Sequence, residues 1–131
     1  MIKRSINAES VGAPPALGHY PHAMQLGELV YVSGQGAFAA DGSGIVRGTL
    51  AEEMALTFSN ISLILKAAGL TLKDVVKVLV FLNDLDEFAE FSELYKGYFP
   101  ENPPVRSCIE AARLPGDMRV EIEVIALIPE D

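Results

Sequence analysis

The sequence predicts a two-layer α+β domain in which two helices cover one sheet, in the order β-β-α-β-α-β-β. Three observations carry this expectation. Residues 50–68 hold apolar side chains at helical spacing, residues 75–82 form a nearly unbroken β-branched run, and residues 119–128 alternate along a strand. A chain of 131 residues suits a single domain, 1–131, and buries enough surface to need no disulfide or metal to hold a core.

Residues 1–28 read as loop-rich, because Pro14, Pro15, Gly18, Pro21 and Gly27 interrupt any long element. Within them, Ala23–Leu26 and Leu29–Ser33 flank Gly27-Glu28 and predict a hairpin. Residues 40–48 form a turn-rich connection centred on Asp41-Gly42. Thr49 caps the first helix and Glu52 completes a capping box. Met54, Phe58, Ile61, Leu65 and Ala68 make its apolar stripe, and Gly69 ends it. The run Val75–Leu82 predicts a strand buried on both faces. A second helix is expected over 86–98, with Asp86 as cap and Phe88, Phe91, Tyr95 and Tyr98 as stripe. Strands 105–112 and 119–128 follow, joined by the turn Leu114-Pro115-Gly116-Asp117.

Charge and composition exclude several classes. Ten Lys+Arg against 18 Asp+Glu give a net charge of −8, which disfavours a nucleic-acid module. No apolar run reaches the roughly 18 residues of a membrane span, and MIKRSINAES lacks the apolar core of a signal peptide. A cytoplasmic location is expected. One cysteine excludes an internal disulfide and a cysteine-based metal cage.

The last two strands hold the polar residues that point to chemistry. Glu123 stands where the face of Arg119, Glu121, Glu123, Ile125 and Leu127 changes from charged to apolar. A carboxylate beside apolar surface is desolvated and can serve as acid or base; a half-solvated surface Glu would give the same pattern. Arg106, Cys108 and Glu110 share a face. If the two strands pair as a hairpin with Arg113 opposite Met118, Cys108 falls opposite Glu123 with Arg106 diagonal to it. Such a cluster would suit a small carboxylate, since arginine binds carboxylates bidentately; an edge salt bridge of little energetic weight reads alike. Cys108 is a nucleophile or a packing residue, and no histidine is placed to activate it. His19-Tyr20-Pro21-His22 lacks an acidic partner at metal-ligand spacing and reads as a turn. Ser33-Gly34-Gln35-Gly36 is too short for a phosphate loop, though its glycines let a ligand approach the backbone.

The segment Pro104-Val105-Arg106-Ser107-Cys108-Ile109-Glu110-Ala111-Ala112-Arg113-Leu114-Pro115, with Val120-Glu121-Ile122-Glu123-Val124-Ile125-Ala126, strongly resembles the signature of the Rid (YjgF) family. Val32-Ser33-Gly34-Gln35, Asn60, Ala67-Ala68-Gly69-Leu70, Asp74-Val75-Val76-Lys77, Tyr95 and Phe99 extend the likeness along nearly the whole chain. The resemblance implies a chorismate-mutase-like (YjgF-like) fold. It also implies a homotrimer whose sheets form a central barrel with clefts between subunits. It implies hydrolysis of enamine and imine intermediates (2-aminoacrylate/2-iminopropanoate, 2-iminobutanoate) to 2-oxo acids and ammonia, without cofactor or metal.

By the same resemblance, Arg106 grips the substrate carboxylate. Glu123 positions or activates water, with Glu121 a bystander. Tyr20 matches a tyrosine of the site, and Ser33, Gly34 and Cys108 line the cleft. The chain departs from the family at Gly18-His19-Tyr20, where Gly-Pro-Tyr is usual, and at Pro21-His22-Ala23, Glu53 and Ser92. These departures bear on substrate range. His19 and His22 are expected at the cleft mouth and suggest a larger substrate such as 2-aminomuconate as an alternative. A non-catalytic metabolite-binding trimer is a further alternative. A ribonuclease is disfavoured, because neutralising phosphate dominates nucleic-acid affinity.

Overall fold

The computed structural model describes residues 1–130. The chain runs β1 (Lys3–Ile6), β2 (Ala23–Leu26), β3 (Leu29–Gln35), α1 (Leu50–Ala67), β4 (Val75–Leu82), α2 (Phe88–Tyr95), β5 (Val105–Glu110) and β6 (Val120–Leu127). The strands form one six-stranded sheet in the order β1-β2-β3-β6-β4-β5. The α+β expectation therefore holds, with one strand more than the sequence suggested. That strand, β1, is short, charged and at the sheet edge, so its composition resembles a loop.

α1 forms where expected. Thr49 Oγ1 accepts from Glu52 N–H at 3.2 Å and Glu52 Oε1 accepts from Thr49 N–H at 2.9 Å, which closes the capping box. Gly69, at φ 76°, ends the helix in the left-handed region. Met54, Phe58, Ile61 and Leu65 enter a core with Phe91 and Tyr95 of α2 and the sheet residues Val30, Val78, Val80, Val120 and Ile122. Truncating one of these to Ala costs about 2–5 kcal/mol.

Two expectations about the sheet are overturned. The last two strands do not form a hairpin. β5 pairs in parallel with β4, with Cys108 beside Val80 and Arg106 beside Val78. β6 pairs antiparallel with β4 on its other side, with Ile122 beside Val80 and Glu123 beside Leu79. α2 is a crossover between β4 and β5, and such a connection joins parallel neighbours. The segment after β5 arches over the end of β4: Ala111 N–H donates to Leu82 O at 2.8 Å and Asn83 N–H to Arg119 O at 2.9 Å.

Nor is β4 covered on both faces. Val75, Val78, Val80 and Leu82 are buried, whereas Lys77 is exposed and Leu79 and Phe81 are half-buried. The side of the sheet away from the helices is open, and the polar groups of the cleft lie there.

Candidate active site

The cleft begins with a break in the sheet. Val32 pairs with Val124 and Gln35 with Ile122, so Ser33 and Gly34 together oppose Glu123. Such a bulge redirects side chains and ends regular pairing. Ser33 Oγ donates to Pro21 O at 2.8 Å, and Ser33 N–H donates to His22 O at 2.9 Å. These bonds tie the loop that carries Tyr20 to the bulge. Gly34 faces Glu121 so closely that a Cβ there would stand 2.6 Å from Glu121 Oε2. Tyr20, Ser33, Gly34, Phe38, Glu121 and Glu123 line a cleft of about 480 Å³.

The structure shows a desolvated carboxyl at Glu121, two residues before the Glu123 that the sequence singles out. Burial, and then the like charge of Glu123, push the Glu121 carboxyl above its ordinary value of 4.5. The apolar transition seen along the strand is real. The bulge, however, carries the floor of the cleft toward the start of β6, which favours Glu121.

Arg106 lies on the other side of the sheet. It shares a row with Val78 and Val124, on the helix side, whereas Glu121 and Glu123 project from the open side. The expected cluster of Arg106, Cys108 and Glu123 on one face is thus overturned within a single chain, because β4 lies between the two strands and their registers on it set Arg106 and Cys108 beside Val78 and Val80 but Glu123 beside Leu79. The Arg106 guanidinium sits over aromatic rings of α2, 4.7 Å from the Tyr95 centroid, 5.5 Å from Phe88 and 5.6 Å from Phe91. Its Nη2 donates to Ser92 Oγ at 3.3 Å, and among the described residues no carboxylate pairs with it. It is a half-buried cation on an aromatic platform, open to an anionic partner. Cys108 lies two residues along the same strand face. Burial, opposed by Arg106, pushes its thiol up, which makes it a poor nucleophile. Burial likewise pushes the Tyr95 phenol up to about 12.

The remaining sequence candidates separate. His19 is exposed and does not line the cleft. His22 is not at the cleft mouth, as expected, but 3% exposed, with both ring nitrogens engaged. Glu53 is a buried carboxylate. It accepts Arg119 N–H at 2.9 Å and Gly48 N–H at 3.2 Å, and lies 3.7 Å from Arg119 Nε. It anchors the start of β6, two residues before Glu121. No group of three or more His, Cys, Asp or Glu among the described residues is placed to hold a metal, and no helix is long and apolar enough to cross a membrane.

The family model described as "Endoribonuclease L-PSP" matches residues 11–128. The chain belongs to this family, the Rid (YjgF) family. Among its Rid relatives, a RutC family protein of Pyrococcus abyssi is 41% identical over 126 residues, 96% of this chain and 98% of that one. The "Putative reactive intermediate deaminase TdcF" of Escherichia coli is 38% identical over 122 residues, covering 91% and 94% of the two chains. Solved structures agree in fold. Yeast Mmf1 has a TM-score of 0.90 at 37% identity, covering 98% of this chain and 100% of that one. E. coli TdcF with bound serine has a TM-score of 0.86 at 37% identity, covering 95% and 98%. The six-stranded sheet with two helices is thus the YjgF-like fold of these Rid proteins. Against that fold, sequence reasoning missed Glu121 as the desolvated carboxylate. The one signal for it, a glycine facing a glutamate across two strands, depends on a bulge that periodicity does not reveal.

Proposed function

We propose that this chain hydrolyses small 2-imino carboxylates, and the 2-enamino acids that tautomerise to them, to 2-oxo acids and ammonia. Water adds to the imine carbon and the nitrogen takes up a proton. The resulting carbinolamine then expels ammonia as the carbonyl forms. Atoms balance with water alone, so the step asks for orientation and proton transfer rather than a cofactor. The observation that carries the reading is Glu121, a desolvated carboxyl with a raised pKa at the foot of an open cleft. It can donate a proton to the imine nitrogen and recover one from the attacking water. Glu123, beside it, holds that pKa up and supplies a second acceptor for water. Tyr20 would hydrogen-bond the reacting centre, while Gly34 offers backbone at the bulge and Ser33, its N–H and hydroxyl bonded to His22 O and Pro21 O, holds that backbone in place.

Arg106 grips the substrate carboxylate, with Cys108 beside it. Because Arg106 and Glu121 face opposite sides of their own sheet, we assign each cleft to two copies of the chain. One copy contributes Arg106 and the next contributes Glu121, in a homotrimer. The open sheet face, with Leu79 and Phe81 half-buried, suits such a neighbour. The buried position of His22 removes the main support for a 2-aminomuconate-sized substrate, and the net charge of −8 disfavours RNA.

The test generates imine in situ from serine or threonine with a pyridoxal-phosphate dehydratase, semicarbazide competing for the intermediate. Faster 2-oxo acid release with wild type, lost in Arg106→Ala and Glu121→Gln, supports the reading. Wild type no better than buffer on both imines sinks it and leaves the metabolite-binding alternative.

A further inference from the structure

The loop that carries Tyr20 leaves β1 at Ile6 and returns to β2 at Ala23, and those two residues pair with each other. Residues 7–22 therefore form a closed loop with a narrow neck, and His22 stands in that neck. Its Nδ1 accepts the Ala8 N–H at 2.9 Å, and its Nε2 lies 2.7 Å from Pro14 O. An amide N–H facing Nδ1 requires a lone pair there, so the proton sits on Nε2 and is donated to Pro14. One neutral ring thus ties the start and the middle of the loop, while Ser33 ties its end through Pro21 O and His22 O. Tyr20 lies between these ties. It is 42% exposed, so its position is set by the loop rather than by core packing.

We propose that His22 is a positioning residue for the cleft, its Nε2–H imidazole clamping the 7–22 loop so that Tyr20 keeps its place in the lining it shares with Ser33, Gly34 and Glu121. The kinetic part of this inference rests on the deaminase reading; the structural part does not. A misplacement of about 1 Å at a reacting centre can cost about 100-fold in rate, so a loosened Tyr20 should be visible kinetically.

Three proteins decide it: wild type, His22→Phe, which keeps a planar ring but loses acceptor and donor, and His22→Gln, which keeps one of each. The first readout needs no activity: amide exchange across residues 8–21 and the ring resonances of Tyr20 in protein labelled at tyrosine. His22→Phe should speed exchange in this loop and shift Tyr20 while leaving exchange in α1 as in wild type, and His22→Gln should restore much of both. The second readout is kcat/KM on imine. His22→Phe should lower it about 10- to 100-fold, but should cost little more once Tyr20→Phe is already present. Loop protection and Tyr20 signals unchanged in His22→Phe would overturn the proposal. So would an equal kinetic loss with and without Tyr20, because His22 would then act by another route. If His22→Phe does not fold, His22→Leu, which also loses both bonds but is smaller, takes its place and is judged by the same readouts. Should wild type prove inactive on imines, the deaminase reading fails while the exchange and resonance data still decide the role of His22.

Discussion

Glu121 Oε2 occupies space that only a glycine at position 34 leaves open, 2.6 Å from where a Gly34 Cβ would stand. Strands β3 and β6 bring the two residues together, and the bulge at Ser33-Gly34 makes the approach close. The pairing makes Gly34→Ala a mutation of the carboxylate rather than of the backbone. The added methyl should drive the Glu121 side chain to another rotamer. We expect kcat/KM to fall at least tenfold, with stability changed by less than about 1 kcal/mol. Steady-state kinetics beside thermal unfolding would separate the two effects.

The raised pKa of Glu121 has a signed consequence for stability. Above pH 4.5 the folded chain keeps more of this proton than the unfolded chain does, because burial and the charge of Glu123 raise the Glu121 pKa. The folded state therefore binds more protons in that window, and this residue's contribution falls as pH rises through it. Glu121→Gln should flatten the pH dependence of Tm above 4.5 and leave the neutral-pH protein at least as stable as wild type. Glu123→Gln should lower the Glu121 pKa, as read by carboxyl carbon NMR, because one of the two causes of the shift is removed.

Glu53 and Arg119 form a clamp of unequal exposure, the carboxylate 2% and the arginine 43% exposed. The weight of the contact lies in the two backbone N–H groups that Glu53 accepts, since the half-exposed charge pair is screened. Glu53→Ala should cost about 1–3 kcal/mol by leaving those donors unpaired. Glu53→Gln keeps an acceptor and should cost less. Urea titrations of the three proteins would show the order.

Arg106 should not tolerate lysine. The guanidinium lies over Tyr95, Phe88 and Phe91, and an ammonium offers neither the same broad contact with those rings nor a two-pronged grip on a carboxylate. Arg106→Lys should raise KM more than it lowers kcat. Mixing and reassembling Arg106→Ala with Glu121→Gln should recover activity that neither variant shows alone, if each cleft draws on two copies. Failure to recover would count against a cleft shared between two copies.

Much of this molecule is legible in its sequence. The Thr49–Glu52 cap, the stripe of α1, the β4 run and the β2–β3 hairpin follow from local rules, and each stands within a few residues of its expected place. What failed was non-local. Two strands separated by a strong turn invite pairing as a hairpin, and nothing in residues 105–128 says that β4 inserts between them. The registers of β5 and β6 on that inserted strand put Arg106 and Glu121 on opposite faces. Glu121 escapes notice as a desolvated carboxylate because the bulge in β3 that brings Gly34 against it leaves no mark in the pattern of β6. His22 looked like a turn residue since its partners, Ala8 and Pro14, are backbone groups of an irregular loop.

Burial keeps the Cys108 thiol protonated although an arginine stands on the same strand face. The substrates proposed for this cleft are electrophiles, and 2-aminoacrylate in particular invites attack by sulfur. A thiolate in that position would be consumed by the compound it is meant to help destroy. A thiol held neutral can flank the carboxylate grip through many turnovers without being alkylated. Its chemical reluctance is then a form of self-preservation, secured by packing rather than by the absence of a cysteine.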